Sequence, residues 1–335
     1  MTEAAMTGAP ESASTEAAAH AREEAERAEF LRDALAGLSG EPKTIPGKYL
    51  WDARGSDLFD RICGTADYYP TRQEMALLPR AAAEAVAAIG PGATVVEFGA
   101  GASRKIRVLL DALERPEAYI ALDISGAYLE AAVARLAPDY PGVAMTPFCA
   151  DYTRPVRLPV DLAGRPVLGF YPGTSIGNFA PDEAERFMAR ARETLGPSLF
   201  LIGTDATQDP ERLRRAYGGA DGLMAAFHGN LLHRLRRDLG AELDPDAFAH
   251  TLRIGGDPLR VEAHLAARDP TTIRLGDTRI AFAAGESLRT DLSHKYAPEA
   301  FRALAVRAGW TPVATVAEAG GSFCLHLLRT GPARD

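Results

Sequence analysis

Cysteine is scarce in this chain: three in 335 residues, and Cys63, Cys149 and Cys324 fall into no Cys-x-x-Cys or metal-type spacing. That excludes a disulfide framework and suits small thiols in a reduced compartment, so a cytoplasmic protein is expected. Histidine is equally dispersed. His228 and His233 miss the i,i+4 spacing that would put two ring ligands on one helix face, so no metal site is expected. Basic residues are outnumbered, 37 to 45, for a net charge of −8. A nucleic-acid binder needs a basic face, so none is expected as a partner; the arginine-rich runs 212–215 and 234–237 read as solvated helix faces. No apolar run approaches the ~18 residues of a membrane span. The segment 1–22, rich in Ala, Glu, Ser and Thr, lacks the basic start and hydrophobic stretch of a secretory signal. Nothing resembles a coiled coil or an exposed apolar helix, and a monomer is the expectation.

What is present is an ordinary globular composition, 47% hydrophobic and 24% charged. The length exceeds that of a usual single core, which predicts one large α/β domain and a second unit. Residues up to about 22 read as flexible, followed by an Ala/Glu/Arg helix that ends near Gly37–Gly40. Residues 43–72 form a loop-rich stretch dense in aromatics: Tyr49, Trp51, Phe59, Tyr68 and Tyr69. Such density marks a lid, packing against another domain, or plain core. From Glu74 an Ala-rich helix leads to Gly90-Pro91-Gly92.

Strands and helices then alternate. Strands are expected at 95–98, 118–122 (ending on Asp123), 144–149 (ending on Asp151), 167–171 and 199–203. The helices between them are expected at 103–113, 126–136 and 182–195. This pattern predicts a parallel, doubly wound sheet with ligands at the strands' carboxyl ends. After Asp205 it breaks: 209–240 is helical, 251–284 alternates as antiparallel strands, and 298–309, 313–318 and 322–328 supply a last helix and hairpin. The expected division is a flexible 1–28, a substrate-binding unit of 29–71 and 209–294, and a cofactor-binding unit of 72–208 and 295–332. The fold class is thus an α/β, Rossmann-like sheet with an inserted α+β domain.

Gly99 and Gly101 follow the first strand in a turn that would also suit a dinucleotide, but a nicotinamide fingerprint expects a third glycine where Arg104 stands. Glu97, directly before the turn, is unfavourable beside a pyrophosphate and tolerates a cationic, phosphate-free cofactor. S-adenosylmethionine carries an ammonium and a sulfonium. Asp123 then lies where a strand-end acid can accept both ribose hydroxyls, and Asp151-Tyr152 where the adenine amine and ring would sit. Each acid alone could be a helix N-cap; three at successive strand ends favour a methyltransferase over a dehydrogenase.

From about residue 30 onward the chain resembles the histidine Nα-methyltransferases of ergothioneine biosynthesis. The resemblance rests on Tyr49-Leu50-Trp51-Asp52-Ala53-Arg54-Gly55-Ser56-Asp57-Leu58-Phe59, Tyr68-Tyr69-Pro70-Thr71-Arg72-Gln73-Glu74, Gly173-Thr174-Ser175-Ile176-Gly177-Asn178-Phe179, Gly203-Thr204-Asp205 and Arg215-Ala216-Tyr217. It implies that Glu97, Gly99, Gly101, Lys105, Asp123, Asp151 and Tyr152 hold S-adenosylmethionine and its product S-adenosylhomocysteine. It also implies that Tyr68 and Gly173 border the active site, and that Asn178 and Tyr217 clamp the amine and carboxylate of a free amino acid. The physics agrees, since methyl transfer to an amine asks mainly for alignment, the cofactor supplying the activated carbon.

The chain departs from the family in the side-chain pocket. The family holds imidazole with a Glu, a Ser two positions on, and a Tyr from the N-terminal aromatic segment. Here Asp291 replaces the Glu, Ser293 is kept, Trp51 stands at the Tyr position and Ala263 at that of a pocket-lining Met. An acid that can accept an imidazole N–H survives, shorter by one methylene. Nα-methylation of histidine, repeated to the trimethylammonium betaine, is therefore the leading expectation. Ring methylation of a reversed histidine and Nα-methylation of tryptophan or tyrosine stay open. From other classes, a nicotinamide oxidoreductase and a non-catalytic binding module are the alternatives.

Overall fold

The computed structural model describes residues 11–101, 104–219 and 221–330. The elements run α1 (Glu11–Leu38), α2 (Ala53–Cys63), α3 (Tyr69–Ile89), β1 (Thr94–Phe98), α4 (Arg104–Ala112), β2 (Ala118–Asp123), α5 (Gly126–Leu136), β3 (Ala144–Cys149), β4 (Val167–Tyr171), α6 (Pro181–Leu195) and β5 (Leu199–Asp205). Then come α7 (Pro210–Gly218), α8 (Leu223–Leu239), β6 (Phe248–Gly255), β7 (Arg260–Ala267), β8 (Thr271–Leu275), β9 (Thr278–Phe282), β10 (Ser287–His294), α9 (Pro298–Arg307), β11 (Trp310–Ala317) and β12 (Phe323–Thr330).

Among the described residues, seven strands form one sheet in the order β11-β12-β5-β4-β1-β2-β3, parallel except for β12 against β5 and β11. The central strands β1, β4 and β5 are buried throughout, which is why they read as unbroken apolar runs. The two edge strands carry Pro147 and Pro312, residues that cannot serve a central ladder. One face of the sheet packs with Leu78, Leu109 and Leu129, and the other with Phe98, Phe187 and Trp310. The chain order reverses between β1 and β4, opening the crevice at the carboxyl ends where such sheets hold ligands.

A separate core gathers α1, α2, α7 and α8 against the three-stranded sheet β10-β7-β6 and the hairpin β8-β9. The aromatics of 43–72 belong to this core: Tyr49, Tyr68 and Tyr69 are buried and Trp51 and Phe59 pack on it. Two expectations are corrected here. The first helix, expected to follow residue 22, already begins at Glu11 as α1, because the Ala- and Glu-rich sequence has high helix propensity and Phe30, Ala34 and Leu38 bury its far end. The loop expected over 43–72 contains α2, capped by Asp52 accepting the Gly55 N–H at 2.8 Å, and the next helix starts at Tyr69, before Glu74, with Pro70 in its first turn. Residues 1–10 and Ser103, expected to be flexible and to open a helix, lie outside the described residues.

Two glycines fix the loop after β4. A Cβ on Gly203 would stand 2.4 Å from the Gly173 carbonyl oxygen, and one on Gly177 would stand 2.5 Å from that of His294. Both meet backbone, which cannot rotate away. Gly203→Ala should therefore lower stability by about 2 kcal/mol and the melting temperature by about 5 °C. Thermal denaturation checks this, and an unchanged melting temperature would refute the close packing.

Candidate active site

Glu97, the penultimate residue of β1, lies in the crevice, 3% exposed, its carboxylate accepting the Tyr119 hydroxyl at 2.5 Å. Gly99 follows at φ +72°, and a Cβ there would meet the Tyr152 hydroxyl at 3.1 Å, so the turn needs glycine on two counts. A Cβ on Gly101 would meet nothing within 4 Å. Asp123 ends β2, half-buried, with one oxygen accepting the Ser125 N–H at 2.9 Å. Asp151 follows β3; it accepts from the Thr153 N–H and hydroxyl and lies 3.9 Å from Lys48. Tyr152, expected to cover an adenine ring, is half-buried; it packs edge-on against Phe98, Tyr171 and Phe187 and braces the Gly99 turn.

The donor set fits a cationic, phosphate-free cofactor. Burial pushes the Glu97 carboxyl up to about 8, outweighing the Tyr119 hydrogen bond and Lys105, and burial likewise raises Asp123. These acids sit in a poorly solvated crevice where a bound cation would favour their ionised forms. The raised Glu97 pKa contributes stability at acid pH that is lost as pH rises from its ordinary 4.5 through about 8. Binding an ammonium beside it should reverse that preference. S-adenosylhomocysteine should therefore bind with proton release and more tightly at pH 8 than at pH 6, and Glu97→Gln should flatten the dependence. Calorimetry in buffers of different ionisation enthalpy measures this; pH-independent binding without proton release would contradict it.

Lys105, on α4, reaches the Gly173 loop rather than standing free. Its ammonium lies 2.6 Å from the fully buried carboxylate of Glu74, whose other oxygen accepts the Gly173 N–H at 2.7 Å. Burial works against the Lys105 ammonium, but Glu74 outweighs it and its pKa is raised. Trp51 is tied to the same crevice: its carbonyl accepts the Ser125 hydroxyl at 2.7 Å, and its ring meets Phe59 and Phe227 edge-on.

On the other side, Asp291 and Ser293 stand two residues apart on one face of β10, with Ala263 paired to Asp291 across β7. Asp291 lies 3.9 Å from Nε2 of the buried His228, which stacks on His250 at 4.8 Å. Burial drives His250 down to about 3, so it stays neutral. Ser293 lies 3.2 Å from the Tyr217 hydroxyl, and both accept from Lys295, at 2.9 and 2.7 Å. Lys295 also pairs with Asp205 at 2.9 Å, and Asp205 accepts the Tyr69 hydroxyl at 2.7 Å. Tyr68 is buried edge-on to Tyr217. His294 bonds the Gly177 carbonyl at 3.1 Å, which sets the loop carrying the exposed Asn178 beside Ser293 and Lys295.

The fold thus brings Tyr68, Gly173, Tyr217, Asp291 and Ser293 together and the three acids to one crevice. Sequence reading missed Glu74, Asp205, His228 and Lys295. Asp205 had a signal, an acid at the end of a buried strand, like Asp123. The open grooves at Pro91–Tyr140 and at Val156–Pro197 lie by the strands' amino ends, away from these residues. Among the described residues no His, Cys, Asp and Glu are grouped to hold a metal ion, and no helix is long and apolar enough to cross a membrane.

Residues 30–330 match the family described as histidine-specific methyltransferase, SAM-dependent. The chain is 38% identical to a histidine N-alpha-methyltransferase of Mycolicibacterium smegmatis, over 88% of this chain and 93% of that protein. It is 34% identical to the enzyme of that name from Mycobacterium tuberculosis, over 92% and 97%. A 4-dimethylallyltryptophan N-methyltransferase of Arthroderma benhamiae is 27% identical over 89% and 92%.

Proposed function

The chain belongs to the histidine-specific, S-adenosylmethionine-dependent methyltransferases, and on that premise we propose that it methylates the α-nitrogen of free histidine, repeatedly, to the trimethylammonium betaine. Family membership sets aside the nicotinamide-dependent and non-catalytic readings. One observation carries the choice of substrate: an acid and a hydroxyl, Asp291 and Ser293, share a face of β10 within reach of Tyr217. A carboxylate can accept one imidazole N–H and a serine hydroxyl can donate to the other ring nitrogen. Indole offers only the donor, and a phenol carries both functions on one oxygen rather than on two separated ring atoms.

Bound S-adenosylmethionine supplies a methyl group activated by the sulfonium. In this reading Glu97, Asp123 and Asp151 hold that cofactor, with Lys105 and the Gly99 and Gly101 turn. Asn178 and Tyr217 hold the amino acid's amine and carboxylate, and Tyr68 and Trp51 close the pocket from water. The chain's contribution is then alignment: a neutral amine, its lone pair along the line of attack, with no acid or base needed at the carbon. Ring methylation is the second reading, favoured by the 3.9 Å approach of Asp291 to His228, which draws the acid toward α8. The same proposal has the enzyme work as a cytoplasmic monomer on a small molecule, with no nucleic-acid or membrane partner. Incubation with S-adenosylmethionine and each of the twenty amino acids, read by mass spectrometry, tests the substrate; turnover of tryptophan or tyrosine in place of histidine would overturn it.

A further inference from the structure

The ammonium of Lys295 is wholly buried and has three hydrogens to give. It gives them to Asp205 Oδ2 at 2.9 Å, Tyr217 Oη at 2.7 Å and Ser293 Oγ at 2.9 Å. Asp205 is itself locked, accepting the Tyr69 hydroxyl on the same oxygen and the Thr207 N–H on the other at 3.0 Å. Burial opposes the charge on Lys295, but Asp205 outweighs it and the group stays protonated. A hydroxyl oxygen that already accepts from an ammonium has its own hydrogen left to donate. Tyr217 and Ser293 therefore hold two hydrogens between them and share one O···O contact. That contact, at 3.2 Å, is long for O–H···O and weak. That contact can use at most one of the two hydrogens, which leaves the other to donate to a ligand, and both can when a better acceptor arrives.

We propose that Lys295 is a positioning residue that fixes the polarity of the amino-acid pocket, making Ser293 and Tyr217 donors toward the substrate while Asp291 is left as the acceptor. Neither hydroxyl can turn its hydrogen back onto Lys295. Ser293 thus demands a ring nitrogen with a free lone pair, and Tyr217 demands an acceptor such as the substrate carboxylate. A ring with no acceptor nitrogen leaves the Ser293 hydrogen only the long 3.2 Å contact to Tyr217, and a poorly paired buried donor costs roughly 1–3 kcal/mol. The polarity, rather than the mere presence of a serine, selects a neutral imidazole. This rests on the proposed histidine Nα-methylation.

The test compares histidine with 3-(pyrrol-3-yl)alanine, which keeps a ring N–H and lacks the acceptor nitrogen. The wild-type enzyme should prefer histidine in kcat/KM by about 10- to 100-fold, the ratio equivalent to that poorly paired donor. The double variant Lys295→Met/Asp205→Asn removes the ion pair as a unit, so no unpaired buried charge remains. Its preference should fall to a fewfold, mainly through a higher KM for histidine. Its affinity for S-adenosylhomocysteine, measured by calorimetry, should stay that of the wild type. A wild-type preference retained in the double variant overturns the assignment, as does an equal loss of activity on both substrates. Ser293→Ala, which leaves the Lys295–Asp205 pair intact, should show the same loss of preference, and a wild-type ratio there also overturns it. A wild-type enzyme that does not methylate histidine at all would instead refute the underlying substrate reading.

Discussion

Replacing Asp123 by alanine should weaken S-adenosylhomocysteine binding by at least about a hundredfold, as two charge-assisted hydrogen bonds of ~1.5 kcal/mol each are lost. The carboxylate ends β2, with one oxygen engaged by the Ser125 N–H and its pKa raised by burial. A half-buried acid with so little solvation gains most from the paired hydroxyls of a ribose. The Ser125 contact also explains why this acid points into the crevice, since it fixes the side chain against the start of α5 while Ser125 holds the Trp51 carbonyl. Titration calorimetry gives the answer directly. Unaltered affinity would remove Asp123, and with it the crevice, from the cofactor site. Circular dichroism of the variant should match the wild type, because β2 is held by its backbone pairing with β1 and β3 rather than by this side chain.

Asp291→Asn should act in the opposite place. The expected result is a fall of about 10- to 100-fold in kcat/KM for histidine, the cost of replacing a charge-assisted hydrogen bond by one that is partly mispaired. Binding of S-adenosylhomocysteine should not change. Asp291→Glu, which restores the methylene missing relative to the family, should stay within about tenfold of wild type, since a methylene alone alters selectivity modestly. Steady-state kinetics on both variants with calorimetric controls tests this. An Asn variant with wild-type kcat/KM would mean that the imidazole is held elsewhere.

The parallel sheet was legible because its central strands are buried on both faces and so stand out as short apolar runs, with Glu97 near the end of β1 and Asp123 at the end of β2. The antiparallel strands of the second unit were legible from alternation, and β3 from its approach to Asp151. α2 was not: Gly55 and Ser56 in its first turn read as loop, and only the Asp52 cap and the buried Leu58 and Ile62 make it a helix. The polar network around Lys295 was invisible for another reason. Its members come from α3, β5, α7 and β10, and a lysine two residues beyond Ser293 carries no sign of complete burial until the fold closes over it. His228 and His250 likewise meet only when α8 lies on β6.

One product spectrum discriminates most sharply between the readings. The protein, incubated with S-adenosylmethionine and histidine and followed by two-dimensional NMR, should give methyl protons correlated with the α-carbon, rising to three equivalent methyls, with both ring nitrogens unsubstituted. Methyl protons correlated instead with the imidazole carbons would show that the pocket of Trp51, Ala263 and Asp291 presents the ring, and the Nα assignment would be wrong.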